Sequence, residues 1–503
     1  MNAEKVRLAR SAIYLAAQNV VSTISGILYF AFAARLLPTI ADLGEVSAIT
    51  MFSGLLLTVM ILALPSAVSK YYSELLGKNL PSDAIGVAYT GFKIGTLLAL
   101  VGGGSCFLFA PIISLMLFGS EVEAFFFRLL ALDVVAVFIS QFSSSVLYGS
   151  QRFKELSVSS IISNSIRTTA TISFLLLGFG ITGIILGWII ADFLYLCLSL
   201  LFCRDLIRKM HGSFPLSTLL KYSTPIYGSN ILSYLQSTID RYIVLGLVGA
   251  QVLGIYSPAT TAVLYISSLP GALASAIFPR ASGLFGKGDM RGIMRTTNVA
   301  SRYSAIIYSP MAFGLVATAL PTIDLFAGSR YIEGAPALAI MAAASVVLSL
   351  HHVVSTYIAS IGRTFAFFVS QATAILACSF VSILFIPQFG AIGAAVGRSA
   401  LILVNFLTML IYVKSEIHDL IDWRSFFTSL VTSSIMSLFV SIFVWEFYSK
   451  YLLPVYILVG FIVYLIILKA LKIMNNSDLE LLIAFVPQHL KGIAYRFGRF
   501  LTS

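Results

Sequence analysis

The segment Ser229–Leu247, SNILSYLQSTIDRYIVLGL, is long and apolar enough to cross a membrane as a helix, yet it holds Asp240 and Arg241 side by side. An ionised side chain at the centre of a membrane helix costs roughly 2.5 to 3.5 kcal/mol on insertion scales, so such residues face a bundle interior or a watery cavity. Ser229, Ser233, Gln236 and Asp240 follow at steps of four, three and four, which places them on one helical face. The segment is expected to line something wet or something paired. Two readings stand side by side: charges that neutralise each other or pin neighbouring helices, and a functional site.

The rest of the chain has the same character. Of 503 residues, 58% are hydrophobic and 11% charged, with a mean hydropathy of +0.95. Soluble proteins carry about 25% charged residues, so this is a polytopic membrane protein. The net charge of +11 sits mainly in short loops, where it speaks of topology rather than nucleic acid. The four cysteines (Cys106, Cys197, Cys203 and Cys378) lie in or beside apolar runs without ligand or disulfide spacing, and read as small core residues. Lys5, Arg7 and Arg10 precede an apolar run, Ser11–Leu37, that is too long for a signal sequence and is expected to be a retained first span.

About fourteen apolar windows follow, at roughly 11–37, 44–69, 85–118, 124–148, 156–178, 180–203, 219–247, 252–279, 302–327, 334–361, 364–386, 389–413, 425–447 and 452–472. With the N-terminus inside, 24 basic residues fall in inside segments and four (Arg35, Arg128, Arg330, Lys450) at outside edges. That bias places both termini in the cytoplasm. Lys93, Arg167, Arg241 and Arg398 remain inside spans, as do Asp133, Asp192 and Asp240.

The chain also repeats. Leu43-Gly44-Glu45-Val46-Ser47 resembles Leu253-Gly254-Ile255-Tyr256-Ser257, and Phe179-Gly180-Ile181-Thr182-Gly183 with Gly187 resembles Phe389-Gly390-Ala391-Ile392-Gly393 with Gly397, both at an offset of 210. A duplicated six-span unit is predicted. An even number of spans keeps both copies in one orientation, so they form a parallel repeat with a transport site between them. The expected organisation is an all-α membrane protein: an N-terminal lobe at 1–203, a cytoplasmic linker at 204–218, a C-terminal lobe at 219–413, two further spans at 414–472 and a cytoplasmic tail at 473–503. Ser477-Asp478-Leu479-Glu480 opens that tail as a candidate capping box, and an interfacial helix and a disordered tail are both open readings of it. The stretch Arg280–Arg302, the most basic of all, reads as a cytoplasmic loop near anionic lipid.

No HExxH, no Cys/His ligand cluster and no GxxxxGK[ST] occurs, so metal hydrolysis and self-driven ATP transport are not expected, and no cofactor is called for. His351-His352 reads as a hydrogen-bonded core pair or as a proton carrier. The intramembrane charges are the informative set. A wet cavity lined by Lys93, Arg167, Arg241 and Arg398 would bind a phosphate or pyrophosphate through charge-assisted hydrogen bonds. Asp240, with Asp133 and Asp192, is the candidate for gating, pairing or coupling to a proton or sodium ion. Gln18 and Asn19, with Ser233 and Gln236, are the candidate lumen-lining residues.

Ile239-Asp240-Arg241-Tyr242-Ile243-Val244-Leu245-Gly246 followed by Leu253-Gly254-Ile255-Tyr256-Ser257-Pro258-Ala259 resembles the mid-chain signature of Wzx-type polysaccharide flippases. Ala33-Ala34-Arg35-Leu36-Leu37-Pro38 and Tyr148-Gly149-Ser150-Gln151-Arg152-Phe153 are similar to further motifs of that family. The resemblance implies a two-lobed bundle of six plus six plus two spans working by alternating access. It implies a polyprenyl- or dolichyl-pyrophosphate-linked oligosaccharide as substrate, with glycosyltransferases and a polymerase or oligosaccharyltransferase as functional neighbours. Relatives of the family supply the alternatives: a MATE-like ion-coupled exporter of small cations, or a lipid II-type flippase. A glycosyltransferase would need a large outer loop, and every predicted outer loop is short.

Overall fold

A computed structural model describes residues 2–207 and 212–470, and every regular element among them is helical. In chain order these are α1 (Asn2–Leu36), α2 (Ile40–Met60), α3 (Leu64–Gly77), α4 (Pro81–Leu108), α5 (Ala110–Phe118), α6 (Ala124–Gly149), α7 (Phe153–Leu176), α8 (Gly180–Ile207) and α9 (Leu216–Gly286). They continue with α10 (Met290–Ala317), α11 (Ala319–Phe326), α12 (Ala335–Ser345), α13 (Leu348–Ser360), α14 (Phe365–Phe389), α15 (Ala391–Tyr412), α16 (Ile417–Leu420), α17 (Trp423–Glu446) and α18 (Leu453–Ala470). Local chemistry sets the boundaries. Thr39 and Asp42 form a reciprocal capping box at the start of α2, with Thr39 N–H donating to Asp42 Oδ2 at 2.8 Å and Asp42 N–H to Thr39 Oγ1 at 3.1 Å. The tail expected at 473–503, with its candidate capping box, lies outside the described residues, as does the middle of the linker, 208–211.

Ten of these helices are long and apolar enough to span a membrane, and twelve spans result if α10–α11, bent by 77°, and the bent pair Ser329–Ser345 with α13 each count as one. The fourteen windows exceed that number for two reasons. One window is α7, whose Ser, Thr, Asn and Arg content keeps it out of the apolar set. Two windows fall on α9, whose 71 residues count once. Gly249 interrupts α9 at φ 83° and ψ −177°, a backbone conformation open essentially only to glycine. Tyr256 Oη donates to Asp240 Oδ2 at 2.7 Å across this break. On a straight helix those residues would stand about 24 Å apart, so the chain turns back at Gly249 and brings Tyr256 beside Asp240 within the first unit. The basic stretch read as a loop is also mostly helical. α9 runs to Gly286 and α10 begins at Met290, with Gly288 at φ 72° in the turn and Asp289 Oδ1 accepting from Gly292 N–H at 2.8 Å.

The chain divides into two compact units, one ending at Ser257 and one beginning at Pro258. The same hairpin occurs within each. In the first, a Cβ on Gly187 of α8 would overlap Thr171 of α7; in the second, a Cβ on Gly397 of α15 would overlap Ser382 of α14. The bend after α4 at Phe109 and the bend after α10 at Thr318 likewise stand 209 residues apart. In the second unit α17 and α18 pack on α10, where Tyr464 Oη donates to the Ile306 carbonyl at 2.8 Å, and Lys450 Nζ meets Asp324 Oδ1 at 3.1 Å.

The tightest helix contact of the first unit joins repeat-related residues. A Cβ on Gly44 would collide with the carbonyl oxygen of Ala250, and a Cβ on Gly254 with that of Ile40. Ser47 Oγ and Ser257 Oγ hydrogen-bond beside this crossing at 2.9 Å. Adding 210 converts 40, 44 and 47 into 250, 254 and 257, so the contact is reciprocal, as in an isologous interface. Small residues are what let membrane helices approach to backbone contact. Gly44→Ala and Gly254→Ala are each expected to lower stability by about 1–3 kcal/mol through overpacking. Gly246→Ala, where a Cβ meets open space, leaves the melting temperature in detergent unchanged or raised. Equal melting temperatures for all three variants would contradict the crossing.

Candidate functional site

α7 is polar because it is tied to its neighbours by hydrogen bonds along one face. Asn164 Nδ2 donates to Ser22 Oγ of α1 at 3.1 Å, Thr168 Oγ1 to the Ser25 carbonyl of α1 at 3.3 Å, and Ser163 Oγ to the Ala191 carbonyl of α8 at 2.9 Å. These bonds bring Arg167 against Asp192, the next residue of α8. Its Nη2 lies 2.5 Å from both carboxylate oxygens. Asp192 is 8% exposed and Asp133 of α6, within reach of both charges, is 4% exposed; the Arg167 side chain is 36% exposed. Asp133 Oδ1 is buried with no hydrogen-bond partner among the described residues. Three of the sequence-predicted residues therefore form one cluster. Two carboxyl groups thus share the neighbourhood of one guanidinium. That Asn164 and Ser22 meet to position the cluster is invisible to local pattern, since their contact spans 142 residues.

The other predicted residues are set differently. Asp240 is fully buried and bonded by Tyr256, which lies inside the repeated Leu253–Ser257 motif but carried no predicted role. Ser229 and Ser233 are exposed and Gln236 is half-buried, so the stripe read as one wet face is open at its start and closed at Asp240. The reason is packing along the axis: Tyr234 Oη donates to the Met51 carbonyl of α2 and accepts from Tyr242 Oη at 3.0 Å, which covers the later turns. Arg241 is half-buried, and its Nη2 makes a long 3.4 Å contact to the Ser237 carbonyl of its own helix. Lys93 is exposed on the α4 face that also exposes Leu97 and Leu100, and Arg398 is half-buried on α15 of the second unit. Gln18 borders a polar cleft, with its Oε1 buried, and Asn19 is exposed. In the second unit, His351 and His352 stand edge to face with centroids 5.6 Å apart. Cys106, Cys203 and Cys378 are buried and Cys197 is exposed, all as free thiols.

Comparison with known proteins agrees with this architecture. The chain is 23% identical to a putative O-antigen transporter of Shigella flexneri over 294 residues, covering 56% of this chain and 68% of that protein. It is 22% identical to a succinoglycan biosynthesis transport protein of Rhizobium meliloti over 277 residues, 54% of this chain and 55% of that one. The chain thus spans between about half and two-thirds of the length of these relatives. Among solved structures, a lipid II flippase in an inward closed conformation superposes with a TM-score of 0.74 at 18% identity, covering 92% of this chain and 99% of that one, so the two share a fold. Residues 32–336, more than half of the chain, match the polysaccharide biosynthesis protein family, and the chain belongs to that family.

Proposed function

We propose that the protein is a flippase that carries a polyprenyl- or dolichyl-pyrophosphate-linked oligosaccharide from the inner to the outer leaflet of the cell membrane by alternating access, with both termini in the cytoplasm. The observation that carries this reading is membership of the polysaccharide biosynthesis family over residues 32–336. The intramembrane charges supply its chemistry. Arg241 and Arg398, with Lys93, serve the anionic head group through charge-assisted hydrogen bonds. Arg167 is already engaged by Asp192 and belongs instead, with Asp133, to a cluster that takes up the coupling proton or sodium ion. Asp240 holds the two arms of α9 together through Tyr256 and acts in gating.

A strain lacking the protein is expected to accumulate lipid-linked oligosaccharide in the inner leaflet, measured by extraction and by protection from an impermeant periodate reagent. Normal outer-leaflet delivery combined with retention of a cationic dye would overturn the reading in favour of an exporter. Arg241→Ala and Arg398→Ala each remove a hydrogen bond to a charged group, about 1.5–3 kcal/mol, so transport falls at least about tenfold in reconstituted vesicles. Asp192→Ala strands Arg167 and lowers stability; because Arg167 is partly exposed, the cost is about 1–3 kcal/mol, below that of a fully buried pair. Combining Arg167→Met with Asp192→Leu restores the melting temperature but not transport. Wild-type transport by that double variant would reduce the cluster to a structural pair.

A further inference from the structure

The first unit contains an open cleft of about 870 Å³ that includes Gln18 but none of the charged residues assigned above to the head group. It lies between α3, α6 and the turn joining α6 to α7, with α1 and α8 at its back. It stands at the end of the unit that carries Lys70 and Arg152, the end assigned to the cytoplasm by the basic-residue bias. We propose that this cleft binds the saccharide part of the substrate, recognising an uncharged polyhydroxylated ring before the lipid-linked molecule is moved. The proposal rests on the flippase reading and extends it to a second recognition site.

Four observations carry it. First, the lining is rich in neutral hydrogen-bonding groups: Gln18, Gln141 and Gln151 supply amides that both donate and accept, and serines of α3 and α6 add hydroxyls. Gln18 Oε1 is buried there with no hydrogen-bond partner among the described residues, an acceptor waiting for a donor. Second, Lys70 and Glu74 are the only charged lining residues among the described ones, and they pair at 2.6 Å. Lys78 also holds Glu74, at 2.7 Å, and these two lysines draw the Glu74 carboxyl down to about 2, so it is ionised at any physiological pH. Lys70 further sits 3.6 Å from the centre of the Tyr71 ring. Among the described residues, each charged group lining the cleft is thus engaged by an opposite charge.

Third, an aromatic wall is present. Tyr148 is exposed and stands edge to face with Phe153 at 5.3 Å, and Tyr195 is oriented by Ser144 Oγ at 2.8 Å. Apolar ring faces with polar tips suit a ligand whose own faces alternate between C–H and O–H. Fourth, the turn that presents Gln151 is strained. Gln151 has φ 58°, a region that glycine or asparagine occupies far more readily than glutamine. The turn is held by Arg152, which donates to Asp205 at 3.0 Å and to the Phe202 carbonyl at 2.9 Å, both on α8. An unfavourable residue kept at the rim of a cleft on a rigid support points to its side chain as the reason. The volume lies within the usual range for small-ligand pockets, roughly 300–1,000 Å³.

The test uses the full-length protein in detergent. The probe is the oligosaccharide released by mild acid from the host's own lipid-linked pool, with inorganic pyrophosphate and a cationic dye as comparators. Wild-type protein is expected to bind the oligosaccharide without competition from pyrophosphate or dye. Gln151→Gly relieves the backbone and is expected to keep or raise the melting temperature while weakening saccharide binding about tenfold. Gln141→Ala, at an exposed side chain, weakens it without a change in melting temperature. No binding by the wild type, displacement by pyrophosphate or dye, or undiminished binding in both variants overturns the proposal. The two readings fail separately: if both variants bind and transport as wild type while the deletion strain still accumulates inner-leaflet lipid-linked oligosaccharide, only the cleft assignment falls. If the deletion strain delivers lipid-linked oligosaccharide normally, the flippase reading falls.

Discussion

The backbone contact at Gly44 and Gly254 is the constraint on which the first unit depends. Association of helices in lipid has no hydrophobic driving force, because the tails are as apolar as the side chains, so close packing and hydrogen bonds must supply it. Here both are present within one turn: two glycines that admit a carbonyl oxygen, and the Ser47–Ser257 hydrogen bond beside them. Seating the second arm of α9 on α2 fixes the rotation of that arm. Tyr256 lies between Gly254 and Ser257, so the contact that sets its neighbours also directs its hydroxyl to Asp240. Gly249 makes the arrangement attainable, since only a residue without a Cβ takes φ 83° with ψ −177° readily. A buried carboxylate in a membrane helix thus traces back to three glycines.

The charge cluster of α6, α7 and α8 answers a different requirement. An isolated guanidinium in a membrane core is costly. Asp192 already engages the Nη2 of Arg167, and Asp133 adds a second carboxyl group beside the pair. Arg167 is thus held by a neighbouring helix rather than left open in the bilayer core. Arg241 has the opposite setting. Its long contact to the Ser237 carbonyl is weak by geometry, so a charged ligand has little to displace.

The architecture was legible in the sequence wherever it rests on local pattern. The apolar windows coincide with helices, and the offset of 210 was visible because glycines recur where helices touch, as at Gly44 and Gly254 or Gly187 and Gly397. What the pattern missed was what packs at each level of a helix. Ser229, Ser233, Gln236 and Asp240 share an azimuth, but Tyr234 and α2 cover the later turns and leave only the first two exposed. Depth along a span was equally silent about direction: Lys93 is deep in its window yet shares an exposed face with Leu97 and Leu100. The basic composition of Arg280–Arg302 marks the end of the apolar windows but not the end of the helices, which continue past them and carry its arginines. The cleft could not be foreseen, since its walls come from five helices.

α7 shows how these levels connect. Its sequence, FKELSVSSIISNSIRTTATISFLL, is too polar to count as an independent span, yet it forms 24 residues of continuous helix. Four of the polar groups that would penalise insertion have a partner on a neighbour: Ser163 on α8, Asn164 and Thr168 on α1, Arg167 on α8. None of those partners is available to α7 alone in lipid, where an unsatisfied polar group costs several kcal/mol. The helix is therefore stable only as part of the assembled unit, and α1 and α8 must be in place for it to be held. A span whose stability is borrowed from its neighbours in this way depends on each of those bonds, and Arg167, the one charged residue among them, is where the cost of losing a partner is greatest.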